Sequence, residues 1–411
     1  MHSILIQRRA GFGLEIMSML LAIGMAEQVW AAAPPVVSNV RASQRAGTQL
    51  VDVYYDLADA DSGALTVSIA VSTNGGASYT VGVANSTGAL GAGIAPGSNQ
   101  KITWDAGVDL PARLFSNVRM SITASDETVL SGMALIPAGS FTMGDAFSEG
   151  YSDELPVHTV YVSAFYMDRY EVTKALWDDV YNWATNNGYN FGSAAWAKAS
   201  SHPVLFVTWF DAVKWCNARS EKEGRTPAYY TSAAQTAVYR SGQVNVDNSW
   251  VKWNAGYRLP TEAEWEKAAR GGTGGHRFPW SDADTITHSR ANYYSSSSYA
   301  YDVSPTRGYH PTFSGVNPYT SPVGYFAPNG YGLYDMAGNV WEWCSDWYGS
   351  YSSSSQTDPR GPTSGSYRVA RGGSWSNDDA IICRAAYRDY GDPVLRGYHV
   401  GFRSVLPPGQ P

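Results

Sequence analysis

The chain is most legible at Asn329-Gly-Tyr-Gly-Leu-Tyr-Asp335-Met-Ala-Gly338-Asn339-Val340-Trp341-Glu342-Trp343. Asp335 and Glu342 offer side-chain oxygens, and the bend between them offers the carbonyls of Gly338 and Val340. Calcium takes about six to eight hard oxygens and accepts such mixtures of carboxylates and turn carbonyls. The alternative is a plain turn in which both carboxylates accept from backbone amides. Downstream stand Arg371-Gly372-Gly373-Ser374-Trp375 and then Gly401-Phe402-Arg403.

Upstream, Met133-Ala-Leu-Ile-Pro-Ala-Gly-Ser-Phe-Thr-Met-Gly144 has two apolar runs broken by Pro-Ala-Gly, a hairpin pattern. A strand beginning at His158 leads to Glu171-Val172-Thr173. Thr173 caps a helix predicted over 174–184, with Leu176, Trp177 and Val180 on one face. A second helix is predicted over 210–222, and a third follows Thr261, whose capping box is completed by Glu264. On that helix Glu262 and Glu266 are four residues apart and read as a solvated face. From about residue 271 onward periodicity is weak, and Gly, Ser, Asn, Tyr and Trp dominate. So long a stretch fits a compact domain only if aromatics and metal ions tie its loops down.

Residues 34–127 read differently. Leu50-Val-Asp-Val-Tyr-Tyr-Asp56 and Leu65-Thr-Val-Ser-Ile-Ala-Val-Ser72 alternate apolar and polar positions, as half-buried strands do. Asn74-Gly75-Gly76 between Val71 and Tyr79 is a hairpin signal, because both residue types accept positive φ. Strands are also expected around Trp104 and over 118–124. Short strands, Gly/Ser turns and no helical period predict an all-β sandwich, immunoglobulin-like or fibronectin-III-like, ahead of a second domain over 130–406. No catalytic cluster falls in the sandwich, which reads as a spacer or adhesion module.

Composition narrows the function classes. Charged residues make up 16% and aromatics 13%, which describes a folded, loop-rich protein. The net charge of −7 leaves no basic stripe for phosphates, so no nucleic-acid partner is expected. At the N-terminus, Arg8 and Arg9 precede an apolar stretch over 14–26, and cleavage between Ala31 and Ala32 would complete an export signal over 1–31. A retained anchor is the alternative, although the stretch is short for a membrane span. Export to the periplasm, the cell surface or beyond would place the three cysteines in an oxidising compartment. Cys216 sits in a helical pattern and reads as buried and inert.

Taken in order, these segments resemble the formylglycine-generating enzyme (sulfatase-modifying factor) family: the opening hairpin, Glu171-Val172-Thr173, Tyr257-Arg-Leu-Pro-Thr-Glu-Ala-Glu264-Trp-Glu266, Phe278-Pro-Trp280, the stretch 329–343, Gly372-Gly373-Ser374-Trp375 and Gly401-Phe402-Arg403. The resemblance covers roughly two-thirds of the chain and implies an α+β, C-type-lectin-like fold with little regular structure. It implies a calcium site at Asp335, Gly338, Val340 and Glu342, and a second one opening at Asn292 and Tyr293. In the second, Ser295–Ser298 and the following loop are remodelled, and Asp302 is the substitute carboxylate. It also implies a Cys344–Cys383 disulfide, since each lies beside a motif of the same core region.

The family's oxidases hold copper with two cysteines, three and eight residues after the serine of Gly-Gly-Ser. Here those positions are Asn377 and Ile382, and neither replaces a thiolate. Cys383 lies one residue beyond the second position; a shifted alignment would bring it there, still without a partner at the first. Copper is therefore not expected, and calcium is the expected cofactor, in a structural role. The histidines form no His-x-x-x-His or His-x-Glu cluster. No Gly-x-Ser-x-Gly elbow, phosphate loop or dinucleotide fingerprint is present. The cleft candidates are Ser374, Trp375, Asn377, Asp378, Asp379, Trp341 and His399; Trp341, Trp343, Trp347 and Trp375 could form a stacking surface for a peptide or glycan, although each reads more simply as a core residue. Two readings follow: a calcium-stabilised binding or accessory module, and a divergent metal-dependent oxidoreductase.

Overall fold

A computed structural model describes residues 35–408, apart from 60–64, 74, 77–78, 80, 82, 84, 111–116, 127–131, 193–194 and 377–378. The export signal predicted over 1–31 lies outside the described residues, as do Asn377 and Asp378.

The N-terminal strands form two antiparallel sheets. Val36–Gln44, Leu50–Ala58, Gly97–Asp105 and Ser86–Gly88 make one. Gly91–Ile94, Leu65–Ser72 and Arg119–Asp126 make the other. The period-2 pattern explains their pairing. Val53, Tyr55, Leu57 and Ile102 from the first sheet join Leu65, Val67 and Ile122 from the second in one apolar cluster. At the expected hairpin Gly75 and Gly76 have φ of 78° and 99°, and the Val81 amide closes onto the Val71 carbonyl at 3.1 Å.

Beyond residue 131 the structure is mixed α and β, with three short helices and three small sheets among the described residues. Met133–Ile136, Phe165–Asp168 and Val405–Leu406 form one sheet, and Gly139–Met143, His158–Val162 and Gln356–Thr357 another. The third contains Trp341–Trp347, Arg368–Arg371, Asp389–Gly391 and Val400–Gly401. There Trp341 and Glu342 pair in parallel with Val400 and Gly401, so the two ends of the sequence pattern are neighbours.

The helices Lys174–Thr185 and Glu262–Ala269 begin at the expected caps, Thr173 and Thr261, and Trp209–Lys222 begins one residue before expectation, capped by Thr208. Thr261 accepts from the Glu264 amide at 3.2 Å, while the Glu264 carboxylate accepts from the Thr261 amide at 2.8 Å. The last helix departs from expectation: every residue of it is buried, and Glu262 and Glu266 are not a solvated face. Glu262 accepts from Arg388 at 2.6 and 2.7 Å, and Glu266 from Arg270 at 2.7 Å and also from Arg371. Arg371 and Arg388 are brought to the helix from distant segments, which a local pattern cannot show.

Residues 271–340 carry no helix or strand, and side-chain amides pin them instead. Asn329 Nδ2 donates to the Ala268 carbonyl at 2.8 Å, closing the C-terminal end of the helix onto the loop. Asn292 and Asn339 join the loop to the turn that follows it.

The expected disulfide is absent: Cys344 and Cys383 are buried thiols, as is Cys216. Cys344 packs with Met143, Val160 and Trp265 in one apolar cluster, whereas Cys383 belongs to the cluster that holds Trp209, Trp343 and Ile382. The two side chains serve different layers of the core. Burial pushes the Cys344 thiol well above its usual range, which keeps it protonated and inert. Among the described residues no helix is long and apolar enough to cross a membrane.

Gly338 has φ of 78°, and a Cβ there would clash with the Asn292 carbonyl oxygen. Gly338→Ala is expected to cost about 2–4 kcal/mol, from left-handed strain plus overpacking against backbone. Thermal unfolding monitored by tryptophan fluorescence checks this, and an unchanged midpoint would refute it.

Candidate functional site

The turn at 335–340 is built from left-handed residues: Asp335, Gly338 and Asn339 have φ of 56°, 78° and 63°. Asn339 holds the turn in place. Its amide donates to the Asn292 carbonyl at 2.7 Å, its Nδ2 to Glu171 at 2.7 Å, and its Oδ1 accepts from the Ser321 amide at 2.9 Å. The Gly338 amide donates to the Gly372 carbonyl at 2.7 Å and the Trp375 amide to the Asn339 carbonyl at 3.0 Å. The two sequence motifs are thereby laced together through backbone.

Three buried carboxylates surround one buried guanidinium here: Glu171, Asp335 and Glu342 around Arg403. Both Glu342 oxygens are engaged, by Arg403 at 2.6 and 2.7 Å and by the Trp265 indole at 2.8 Å. Asp335 differs. Its Oδ2 accepts from the Gly324 amide at 2.6 Å, but its buried Oδ1 has no hydrogen-bond partner. Burial, with a smaller push from Glu342, raises the Asp335 carboxyl to about 6 against the pull of the Gly324 amide and Arg403. Glu171 is raised well above the usual range, first by burial and then by Asp335 and Glu342. An unpaired oxygen beside excess negative charge fits a cation. Among the described residues no three His, Cys, Asp or Glu side chains converge as ligands, so such an ion would lean on the carbonyls of Gly338 and Val340 beside Asp335.

Glu171 is the member that sequence reading missed. Glu171-Val172-Thr173 reads locally as a strand-to-helix junction, and only the fold brings it against a turn more than 160 residues away, with Oε1 on the Val340 amide at 3.2 Å.

At the second motif, Ser374 is buried and its Oγ lies 2.7 Å from Ser376 Oγ. Ile382 is a core residue, and a Cβ on Gly373 would meet it at 2.9 Å. Asp379 is half-buried with φ of 35°. His399 is half-buried, and its carbonyl accepts from the Trp341 amide at 2.8 Å. Of the two roles weighed for them, stacking surface and core, Trp341, Trp343, Trp347 and Trp375 take the second: all four are buried. Trp347 and Trp209 sandwich the Arg368 guanidinium at 3.4 and 3.8 Å, because an arginine without a carboxylate partner is best buried between π faces.

A different aromatic set reaches solvent. Tyr398 is 50% exposed and Trp196 41%. Their rings stand perpendicular at 6.0 Å, and Phe206 packs on Tyr398 at 4.2 Å. Trp375, which also touches Tyr309 and Tyr319, donates its indole N–H to the Tyr398 carbonyl at 3.0 Å. Phe206 has φ of 63°, a strained conformation for a bulky residue, worth about 1–3 kcal/mol. No sequence motif marks Trp196; a backbone bridge from Trp196 to Leu205 brings it to Phe206.

These segments match a known family. Residues 120–407 match the one described as the sulfatase-modifying factor enzyme 1-like domain. The chain is 36% identical over 296 residues to the formylglycine-generating enzyme of Streptomyces coelicolor, spanning 66% of this chain and 88% of the relative. It is 35% identical over 312 residues to that of Thermomonospora curvata, spanning 69% and 96%. Among solved structures it is similar to Treponema denticola variable protein 1, with 31% identity, a TM-score of 0.51, and coverage of 67% of this chain and 95% of that one. The chain belongs to the sulfatase-modifying factor (formylglycine-generating enzyme) family.

Two outcomes follow from the buried charges. Arg403→Met strands Glu342 without its counter-charge and is expected to lose about 3–5 kcal/mol. Adding Glu342→Gln should recover part of that loss, and a double-mutant cycle by thermal or denaturant unfolding measures it. Separately, burial and then the Glu262 charge push the Asp346 carboxyl up to about 8, so the folded chain keeps a proton that the unfolded chain releases above its ordinary value near 4. Stability from this group therefore falls as pH rises from about 4 to about 8. Asp346→Asn should gain on the wild type across that window; parallel melting curves with no pH-dependent difference would refute this.

Proposed function

We propose that this chain is an exported binding or accessory module of its family, stabilised by calcium, and not an active formylglycine-generating oxidase. The observation that carries the reading is Ile382. The position where the family's oxidases place their second copper thiolate is a buried isoleucine packed beneath Gly373. A soft-metal centre needs paired thiolates at the surface of a cleft, and an aliphatic side chain offers none. Calcium is supported by the unpaired Asp335 Oδ1 and by the surplus of carboxylates over Arg403. The ligand surface in this reading is the corner of Trp196, Tyr398 and Phe206 beside Trp375, with His399 as a polar neighbour. Exposed, perpendicular aromatic rings suit a peptide or a glycan, both of which present apolar faces between polar groups. In this reading the domain is C-type-lectin-like, and the N-terminal sheets are an immunoglobulin-like or fibronectin-III-like spacer that presents it.

A second reading, a divergent metal-dependent oxidoreductase, is favoured by the names of the formylglycine-generating enzymes among the curated relatives. One assay separates the two. The chain is incubated with copper(I), oxygen and a peptide containing Cys-x-Pro-x-Arg, and the product is read by mass spectrometry beside a two-cysteine family member. The expected outcome is no formylglycine from this chain and full turnover by the control; conversion of the cysteine would overturn the module reading. In the same preparation calcium should raise the melting temperature relative to EGTA, and Asp335→Asn should abolish that rise.

A further inference from the structure

The second calcium position implied by the family resemblance does not fit a metal in this chain. Asn292, its first member, turns Nδ2 to the Tyr319 carbonyl at 2.8 Å, and its own carbonyl accepts from the Asn339 amide at 2.7 Å. The Tyr293 carbonyl is met by His288 Nε2 at 3.1 Å, while His288 Nδ1 is held by Thr306 at 2.8 Å. Asp302, the substitute carboxylate, is already saturated. Its Oδ1 accepts from the Tyr293 hydroxyl at 2.7 Å, the Ser295 hydroxyl at 2.9 Å and the Ser304 amide at 3.2 Å, and its Oδ2 from the Ser296 amide at 2.9 Å.

A cation is nevertheless present, and the chain supplies it. Arg307 Nη1 lies 2.7 Å from the Ser296 carbonyl, 3.0 Å from Ser295 Oγ, 3.2 Å from the Asp302 carbonyl and 3.0 Å from Asp302 Oδ1. One guanidinium nitrogen has two N–H groups. Four oxygens around it exceed what hydrogen bonding alone requires, so the arrangement is that of oxygens gathered on a positive charge. The Asp302 side chain is 1% exposed and that of Arg307 47%, so the carboxylate is sealed inside while the guanidinium caps it from solvent. Two backbone bridges, Ile286 to Asp302 and Ser295 to Gly308, are closed around this centre.

We propose that Arg307 is the built-in counter-cation of the 285–310 loop and replaces a second calcium ion, so that the chain binds at most one calcium and this loop holds its shape without metal. The inference stands whether or not Asp335 binds calcium.

The test uses the whole chain and calcium alone as probe. Isothermal titration gives the stoichiometry, and hydrogen exchange followed by mass spectrometry gives protection over 285–310 in EGTA and in calcium. No more than one ion per chain, with exchange in that segment changed less than about twofold by calcium, is expected. Two ions per chain, or a segment that opens in EGTA, would overturn the proposal. Zero ions would sink the Asp335 calcium reading and leave this one intact. In Arg307→Gln the segment should exchange about tenfold faster in EGTA. If that variant is as protected as the wild type, Arg307 is not the counter-cation. Should the variant fail to fold, the wild-type stoichiometry and protection still decide.

Discussion

The ion pair between Arg403 and Glu342 is the interaction on which the rest of this domain depends. It is bidentate, both partners are buried, and Arg403 spends its remaining donors on the carbonyls of Asp168, Arg169 and Tyr334. One guanidinium thus joins the strand Phe165–Asp168, the turn before the strand Trp341–Trp347, and the C-terminal return at 400–403. Such pairs add little net stability over a hydrophobic replacement, because desolvating both charges offsets most of their attraction. Their effect is on uniqueness. A chain with so little regular structure has few backbone ladders to define it, and a charge that can be satisfied in one geometry selects that geometry.

The same device recurs. Arg388 pairs with Glu262, Arg371 with Glu266, Arg258 with Glu264, Arg384 with Glu154, and Arg219 with Asp168, all of them buried. Three of these acids come from the single helix Glu262–Ala269, which is a charged hub inside the core and not an amphipathic surface helix. Asn339, Asn329 and Asn292 do for the loops what the arginines do for the strands, satisfying backbone groups that no ladder reaches. Around this grid lie stacked and edge-to-face aromatics such as Trp177 on Trp215 at 6.0 Å and Phe402 on Trp215 at 5.3 Å. The tryptophan content is therefore largely core, whereas Trp196, Tyr398 and several other tyrosines, Tyr151 and Tyr325 among them, turn outward.

In the function proposed above, family membership and family chemistry separate. Everything that builds the scaffold remains: the left-handed turn at 335–340, the Gly372-Gly373 approach to it, and the Arg403 clasp. The position eight residues after Ser374 has been given to the apolar core, and the 285–310 loop carries its own arginine. A scaffold fixed by arginine pairs and asparagine bridges does not depend on the residues at its cleft, which frees the cleft to change.

Much of this was legible in sequence, because some features are local. The helix caps at Thr173 and Thr261 follow from one residue and its near neighbours, and so do the period-2 strands of the N-terminal sheets. The ordered motifs identified the family, since glycine and asparagine at fixed spacings report backbone conformations that other residues adopt only with strain. Tertiary structure alone decided the rest. Glu262 and Glu266 look solvated until Arg388 and Arg371 arrive from more than a hundred residues away. Glu171 joins Asp335 and Glu342 only across a similar span. Cys344 and Cys383 are each near a shared motif yet point into different layers of the core. Tryptophans 341, 343 and 347 could not be sorted from Trp196 by composition, because whether a ring faces core or solvent depends on what packs against it. The physical reason is common to all of these: local sequence fixes backbone conformation, whereas burial and charge compensation belong to pairs of residues that only the folded chain brings together.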